Sequence, residues 1–459
     1  MVCTCTKLHC HSKVRSGWFI VYCEAVRDGG VLQGVAARRV MARLSPRRGL
    51  VLLAAASLAV LVCLQQRELP WRLADAPDAG HAPPRPVVGD VTAGAGTPWS
   101  EESAAAAAYD PASSARLWPH QAPDSDRITE QLMFVPPPSD EPPRIRKVLV
   151  YNGLGSWSPL RAGRDAFQHC PVSSCTITTN KAEASDADAI LFKDHFVNPG
   201  VHRPARQVWI LYFLECPYHT QHVKHNDVFN WTATYRRDSD IVAPYERWAY
   251  YDDRVRQKPQ ADFNYAANKT KKVAWFVSNC GARNKRLQYA HELQKHIQVD
   301  IYGACGTKKC PRSNANKCLE MLDRDYKFYL AFENSNCKDY ITEKFYVNGL
   351  MRNVLPVVMG ARPEDYARNA PERSYIHVDE FASAKELAAY LHQLDTDDEL
   401  YNSYFRWKGT GEFINTYFFC RLCALLHDDF PAKAYRDINE WWRGPGTCTS
   451  GSWRKVTHE

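Results

Sequence analysis

The sequence predicts an α/β fold laid out as two successive layers, and three observations predict it. Short apolar runs recur early as IRKVLVYN, DADAILFKD and QVWILYFLE, each long enough for one buried strand and each followed by a longer polar stretch. A second series opens with KKVAWFVSN, after a charged connector over residues 250–272, and continues in QVDIYGACG. Residues 326–360 then combine a strand (326–332), a polar loop (333–336), a helix start and a second strand (354–359, closed by Gly360) in one βαβ unit. Strands alternating with helix-length spacers build parallel sheets, whose ligands bind above the carboxyl ends of the strands.

The 459 residues suffice for two or three domains. The formal net charge is +7, but residues 1–48 carry nine Lys and Arg against Glu24 and Asp28, so the remainder is close to neutral. A nucleic-acid partner needs a basic face with interleaved aromatics, which this distribution excludes. Arg38, Arg39, Arg43, Arg47 and Arg48 instead flank the uncharged run of residues 50–64. Basic residues ahead of an apolar run predict a cytosolic tail (1–49), a transmembrane signal anchor (50–64) and a luminal remainder, the single-pass type II arrangement. The run is shorter than the roughly 20 residues of an average span, which suits the thinner bilayers of the early secretory pathway. A cleaved leader ending near Ala74-Asp75-Ala76 is the competing reading. Residues 65–143 are rich in Pro, Ala, Gly, Asp and Ser and predict a flexible, disordered stem.

Eleven cysteines follow the apolar run, and a luminal address makes disulfides their default state. An odd count leaves one unpaired or joined to another chain. Cys170 and Cys175 stand near the start of the folded region, and Cys420 and Cys423 form a C-x-x-C near its end. Two such pairs also suit zinc, but an oxidising lumen favours disulfides. Asn230-Trp231-Thr232 and Asn268-Lys269-Thr270 are acceptor sequons for N-glycosylation.

The first α/β domain is assigned to residues 144–265. Its third strand ends in LECPYHT, which puts Glu215 at a strand end facing the ligand cleft as a candidate general base, with His219 beyond the turn at Pro217. Asp238-Ser239-Asp240 has the look of a metal-binding Asp-x-Asp, but no second acidic cluster completes a coordination shell. It reads as a solvated turn with Arg236 and Arg237 lining the cleft. The second domain is assigned to residues 266–425. Residues 280–296 are helical in period with Arg283 and Arg286 at the beginning, where arginine and a helix N-terminus together neutralise a diphosphate. Asp339 is placed to cap a helix through Ile341, Phe345 and Leu350, with Lys344 for a phosphate and Glu343 for ribose hydroxyls. Ser383-x-x-Glu386 is a capping box for a closing helix. Residues 426–459 carry little pattern and are assigned as a C-terminal tail.

FENSNCKDYITEKF followed by VLPVVMG resembles the donor-nucleotide motif of the α1,3-fucosyltransferases, glycosyltransferase family 10, and the resemblance covers roughly residues 145–425. It implies that Tyr340, Glu343 and Lys344 hold GDP-fucose. Arg286, at the family's spacing after Ser278-Asn279, joins this donor-binding set with Asn279 and Glu333. The family's Glu-Ser-Pro-x-His is similar to the stretch from Glu215 to His219, which implies Glu215 as the base, although Cys216 stands where the family has serine. His219 and Arg236 are placed on the acceptor side. The two early cysteines are implied to bond the two of the late C-x-x-C. The implied architecture is GT-B, two Rossmann-like domains facing a cleft, behind the anchor and the stem. TATYRRDSDIVAPYE, SNCGARNKRLQYAHELQKH and GTGEFINTYFFC look most like invertebrate enzymes that fucosylate the innermost N-acetylglucosamine of N-glycans.

The expected activity is therefore inverting transfer of L-fucose from GDP-β-L-fucose to the 3-hydroxyl of N-acetylglucosamine on glycoprotein N-glycans, at the Golgi membrane with the catalytic part luminal. No cofactor or metal is required by such a displacement, which leaves room for stimulation by a divalent cation. A Lewis-type enzyme acting on antennal N-acetyllactosamine is the nearest alternative, and a non-catalytic glycan-binding protein is the alternative of another class.

Overall fold

The computed structural model describes residues 8–15 and 18–25, and residues 116–455 apart from 139, 141 and 430–432. The chain divides into two compact units, residues 1–86 and 87–459. In the first, β1 (Leu8–Arg15) and β2 (Trp18–Ala25) form an antiparallel hairpin. The expected anchor at 50–64 and residues 65–115 of the expected stem lie outside the described residues. No helix among the described residues is long and apolar enough to cross a membrane.

The second unit holds two parallel sheets. Ahead of the first lies α1 (Ile128–Met133). The first sheet comprises β3 (Arg146–Val150), β4 (Cys175–Thr178), β5 (Ala189–Lys193), β6 (Val208–Phe213), β7 (Trp231–Thr234) and β8 (Ile241–Val242), in the order β4-β3-β5-β6-β7-β8. Every ladder in it is parallel. The β6 sequence VWILYF is buried at every position, the unbroken apolar run of a strand covered on both faces. β9 (Trp248–Tyr250) then begins the connector between the sheets.

The second sheet is built from β10 (Lys271–Phe276), β11 (Val299–Tyr302), β12 (Tyr326–Phe332), β14 (Leu355–Met359) and β15 (Ile376–His377), in the order β11-β10-β12-β14-β15 and again all parallel. β13 (Asn336–Cys337) lies in the loop after β12. One face packs on α2 (Arg286–Gln294), and the chain between β13 and β14 contains the short α3 (Glu343–Phe345). The same face packs on α4 (Ala384–Thr396), for which only half of the expected capping box forms: the Ser383 hydroxyl accepts from the Glu386 amide at 3.2 Å, but the Glu386 carboxylate accepts from the Ala382 amide at 3.0 Å, one residue before the cap. β16 (Gly411–Phe413) pairs antiparallel with β9 and ties the connector down.

Two boundaries differ from the sequence expectation. The expected stem does not reach residue 143, because Leu117, Trp118, Ile128 and Phe134 are buried and residues 116–138 belong to the first domain. Arg127 is fully buried and donates to the carbonyls of Arg237 at 2.8 Å and Ser239 at 2.7 Å. A window dominated by Pro, Ala and Ser hid this short apolar cluster. The C-terminal residues also differ from expectation: residues 418–425, assigned to the second domain, and much of the tail assigned from residue 426 pack on the first domain. α5 (Phe418–Leu426) packs into the core of the first domain, and α6 (Ile438–Arg443) inserts the fully buried Trp442 against the other face of its sheet. β17 (Cys448–Thr449) then pairs with β13.

Disulfides Cys170–Cys420 and Cys175–Cys423 fasten α5 to the first domain, and their formation disposes of the zinc reading of those four sulfurs. Cys280–Cys305, Cys310–Cys318 and Cys337–Cys448 complete the pairing, and Cys216 is the free cysteine among the described residues.

Candidate active site

β6 ends at Phe213, and two residues later Glu215 stands at the carboxyl edge of the first sheet with its side chain 44% exposed. Cys216 keeps the chain extended and Pro217 opens a single 3₁₀ turn ending at His219, so the imidazole folds back to 3.8 Å from the Glu215 carboxylate. Oε1 of Glu215 accepts from the Tyr340 hydroxyl at 2.6 Å, the Cys216 amide at 2.8 Å and the Asn334 side-chain amide at 3.2 Å. No hydrogen bond from the described residues reaches Oε2, which keeps its lone pairs. Burial presses the Glu215 pKa upward, but the hydrogen bonds from Tyr340, Cys216 and Asn334 and the charge of Lys344 outweigh it and hold the carboxyl below its ordinary value. The group is ionised at neutral pH with one oxygen fixed and one open, the state a proton acceptor needs.

The partners of Oε1 come from the second domain. β12 ends at Phe332, and the next residues leave that domain: Cys337 and Tyr340 pack in a core of the first domain, Tyr340 against Tyr235 at 5.1 Å between ring centroids. Glu333 is fully buried and accepts from the Thr342 amide at 2.8 Å, the Thr342 hydroxyl at 2.9 Å and Lys344 Nζ at 3.3 Å. Burial raises its pKa, and Lys344 and Thr342 offset only part of that. Gly360 is required here by close approach, since a Cβ would stand 2.5 Å from Glu333 Cγ. Lys344 Nζ also reaches Glu343 at 3.1 Å. Burial disfavours its ammonium, yet the two carboxylates prevail and hold its pKa above the lysine value. Glu343 remains half exposed and free to meet a ligand.

Several expected roles shift. Asp339 does not cap the helix: it sits at φ 58°, accepts the Arg237 amide at 3.0 Å, and gives its own N–H to Asp365 at 2.9 Å. The cap is Thr342, whose hydroxyl accepts from the Lys344 amide at 3.4 Å. α3 covers only Glu343–Phe345 before a π turn over Tyr346–Leu350, and the Glu333 carboxylate takes the Thr342 N–H. Arg286 is buried at the first position of α2, not on an open cleft wall; it donates to the carbonyls of Phe332 at 2.7 Å and Asn279 at 3.1 Å while Nε has no partner. Asn279 is exposed and reaches Arg286 only through this carbonyl, its side chain accepting from the Gly281 amide at 3.1 Å.

Arg236 does not line the cleft. It is buried, paired with Asp238 and stacked on Trp441 at 4.2 Å from the ring centroid. Ser239 and Asp240 are fully buried too, so the Asp-Ser-Asp stretch is a packed turn and not a solvated one. His219 remains exposed beside Glu215.

Four further residues shape the site without having been assigned a role from the sequence: Asn334, Ser335, Asn336 and Trp453. Asn334 lies inside the FENSN string, and its adjacency to Glu333 was the available signal. Ser335 places Oγ 3.0 Å from Cys216 Sγ. Trp453 donates its indole N–H to the Gly360 carbonyl at 2.9 Å, and Asn336 donates to the Gly451 carbonyl at 2.8 Å, so the C-terminal segment braces the donor-side loop; nothing in its composition announces this.

Two parallel sheets whose carboxyl edges meet at one ionised carboxylate, with a lysine and a buried arginine around the loop opposite, define a two-domain α/β transferase of the nucleotide-sugar class. Residues 144–246 match the model described as "Fucosyltransferase, N-terminal", and residues 266–441 match "Glycosyltransferase family 10 (fucosyltransferase) C-term". Glycoprotein 3-alpha-L-fucosyltransferase A of Drosophila melanogaster is 66% identical over 349 residues, 74% of this chain and 69% of that protein. Alpha-(1,3)-fucosyltransferase C of the same organism is 40% identical over 317 residues, 62% of this chain and 73% of that protein. A solved α1,3-fucosyltransferase with GDP-fucose aligns over 67% of this chain and 97% of its own, at 16% identity and a TM-score of 0.43. The chain belongs to glycosyltransferase family 10, the fucosyltransferases.

Proposed function

We propose that this chain is an inverting α1,3-fucosyltransferase that moves L-fucose from GDP-β-L-fucose to the 3-hydroxyl of N-acetylglucosamine in glycoprotein N-glycans, at the innermost core residue. The observation that carries the reading is the 2.6 Å hydrogen bond from Tyr340 to Glu215, which joins the donor-motif loop to the base-bearing strand end. Inversion needs one displacement and one base. Glu215 Oε2 takes the proton of the attacking hydroxyl while Tyr340 and Asn334 hold the other oxygen. Lys344 balances the charge that grows on the leaving diphosphate, Arg286 adds its field from beneath, and Glu343 meets the ribose hydroxyls. This scheme routes no step through a metal.

The core acceptor is supported by the 66% identity to a relative named for glycoprotein 3-fucosylation, and the Golgi, type II reading by the basic flank and the apolar run at 50–64. The test is incubation of the full chain with labelled nucleotide sugars and two acceptors, an N-glycan without antennal galactose and a free N-acetyllactosamine. Transfer from GDP-fucose to the first supports the core reading. Transfer only to the second makes the enzyme Lewis-type, and binding without transfer makes the chain a glycan-binding protein.

A further inference from the structure

Glu215, Cys216 and His219 present a carboxylate oxygen, a sulfur and an imidazole nitrogen that all lie within 4.8 Å of one another. Cys216 Sγ is 3.4 Å from His219 Nδ1, and that nitrogen is 3.8 Å from Glu215 Oε1. Ligand atoms on a tetrahedral zinc ion, about 2.0–2.3 Å from the metal, stand roughly 3.3–3.6 Å apart. Two of the three separations are thus close to the spacing of such an ion's ligands, and the third is within 4.8 Å. We propose that Glu215, Cys216 and His219 form a binding site for a soft divalent cation, zinc by chemistry, and that the ion, competing with the Tyr340, Cys216 and Asn334 donors for Oε1, weakens Glu215 as the base.

The donor set decides the ion. One thiolate, one imidazole and one carboxylate select zinc over magnesium, calcium and manganese, which prefer oxygen ligands. Three protein ligands would leave a fourth position open on a tetrahedral ion, and the Glu215 and His219 side chains are both partly exposed. Cys216 is the free cysteine among the described residues, so it is not committed to a disulfide. The surroundings set the strength. Lys344 bears on Glu215 and Arg443 on Cys216 with opposing positive charge, whereas Asp194 adds negative charge near Glu215. Serine at position 216, the residue of the family's Glu-Ser-Pro-x-His pattern, would remove the soft ligand, so the site belongs to the cysteine-bearing sequence. The effect on transfer rests on Glu215 being the base, but the binding does not.

The test loads the chelator-treated full chain with Co²⁺ and titrates Zn²⁺ by calorimetry, for wild type, Cys216→Ser and His219→Gln, with melting curves to verify folding. Wild type minus Cys216→Ser should show a thiolate-to-cobalt charge-transfer absorption, and each substitution should weaken Zn²⁺ binding at this site by at least about tenfold. Zn²⁺ should inhibit wild-type transfer reversibly, with a larger inhibition constant in both variants and no matching effect of Mg²⁺. Absence of the difference absorption in folded proteins, or equal Zn²⁺ affinity in all three, overturns the site. Binding at this site with unchanged transfer leaves the site standing and overturns the role of Glu215 in the proposed reaction.

Discussion

Tyr340→Phe isolates the contact that joins the two domains. The substitution deletes one hydroxyl and keeps the ring, which is buried against Tyr235, so packing is preserved. The lost interaction is a 2.6 Å hydrogen bond to a carboxylate held ionised by three such donors. A hydrogen bond to a charged group contributes about 1.5–3 kcal/mol, and 1.36 kcal/mol corresponds to one pH unit. Because Glu215 is 44% exposed, water replaces part of the loss, and the expectation falls at the low end, about one unit. The direction follows from the donor: Tyr340 stabilises the charged form and depresses the pKa, so its removal raises it. The acid limb of kcat/KM, which reports the free enzyme, should move to higher pH by about one unit, with activity lost first below that limb and a smaller change on the neutral plateau. The assay is a pH–rate profile with chelator present, beside a melting curve. An unmoved limb in a folded Tyr340→Phe protein would refute the idea that this hydroxyl tunes the base.

Four further outcomes follow from the same geometry. Glu215→Gln should preserve folding and GDP affinity while transfer falls by about 10²- to 10⁴-fold and the acid limb disappears; near wild-type transfer with GDP bound would shift attention to His219. Lys344→Ala should weaken GDP-fucose binding and transfer together, and should also lower stability because the fully buried Glu333 loses its cation, a change whose usual cost is roughly 3–5 kcal/mol and which the Thr342 hydrogen bonds and the partial exposure of Lys344 reduce. Denaturant melts of Lys344→Ala with and without Glu333→Gln should show partial recovery in the double variant. Glycopeptide mapping should find sugar on Asn268, which is exposed, and none on Asn230, whose side chain bonds Arg203, the Trp209 amide and the Lys433 carbonyl. Deleting residues 116–143 should abolish folding, since Leu117, Trp118, Ile128 and Phe134 leave the core and each large apolar side chain contributes about 1.5–3 kcal/mol.

The sequence by itself determined whatever depends on near neighbours in the chain. The buried strands were legible because unbroken runs such as VWILYF and YKFYLAF have few other uses, and the α4 cap because Ser383 and Glu386 meet within one turn. The family string marked Glu333, Tyr340, Glu343 and Lys344, and a strand end marked Glu215. Tertiary structure decided which of these groups touch. Tyr340 looked like a ligand contact and became the partner of Glu215, 125 positions away, because its loop crosses to the first domain. Arg236 and Asp240 looked solvated in a polar string, but Trp441 stacks on the first while the Gln131 side chain bonds the carbonyl of the second, bringing distant segments over that turn. The ends of the fold follow the same logic: residues 116–138 and 438–453 have little pattern of their own and are ordered by what they cover. Local propensity is written in consecutive residues, whereas burial of a polar side chain or a short apolar cluster depends on segments hundreds of positions apart, and only the folded chain brings those together.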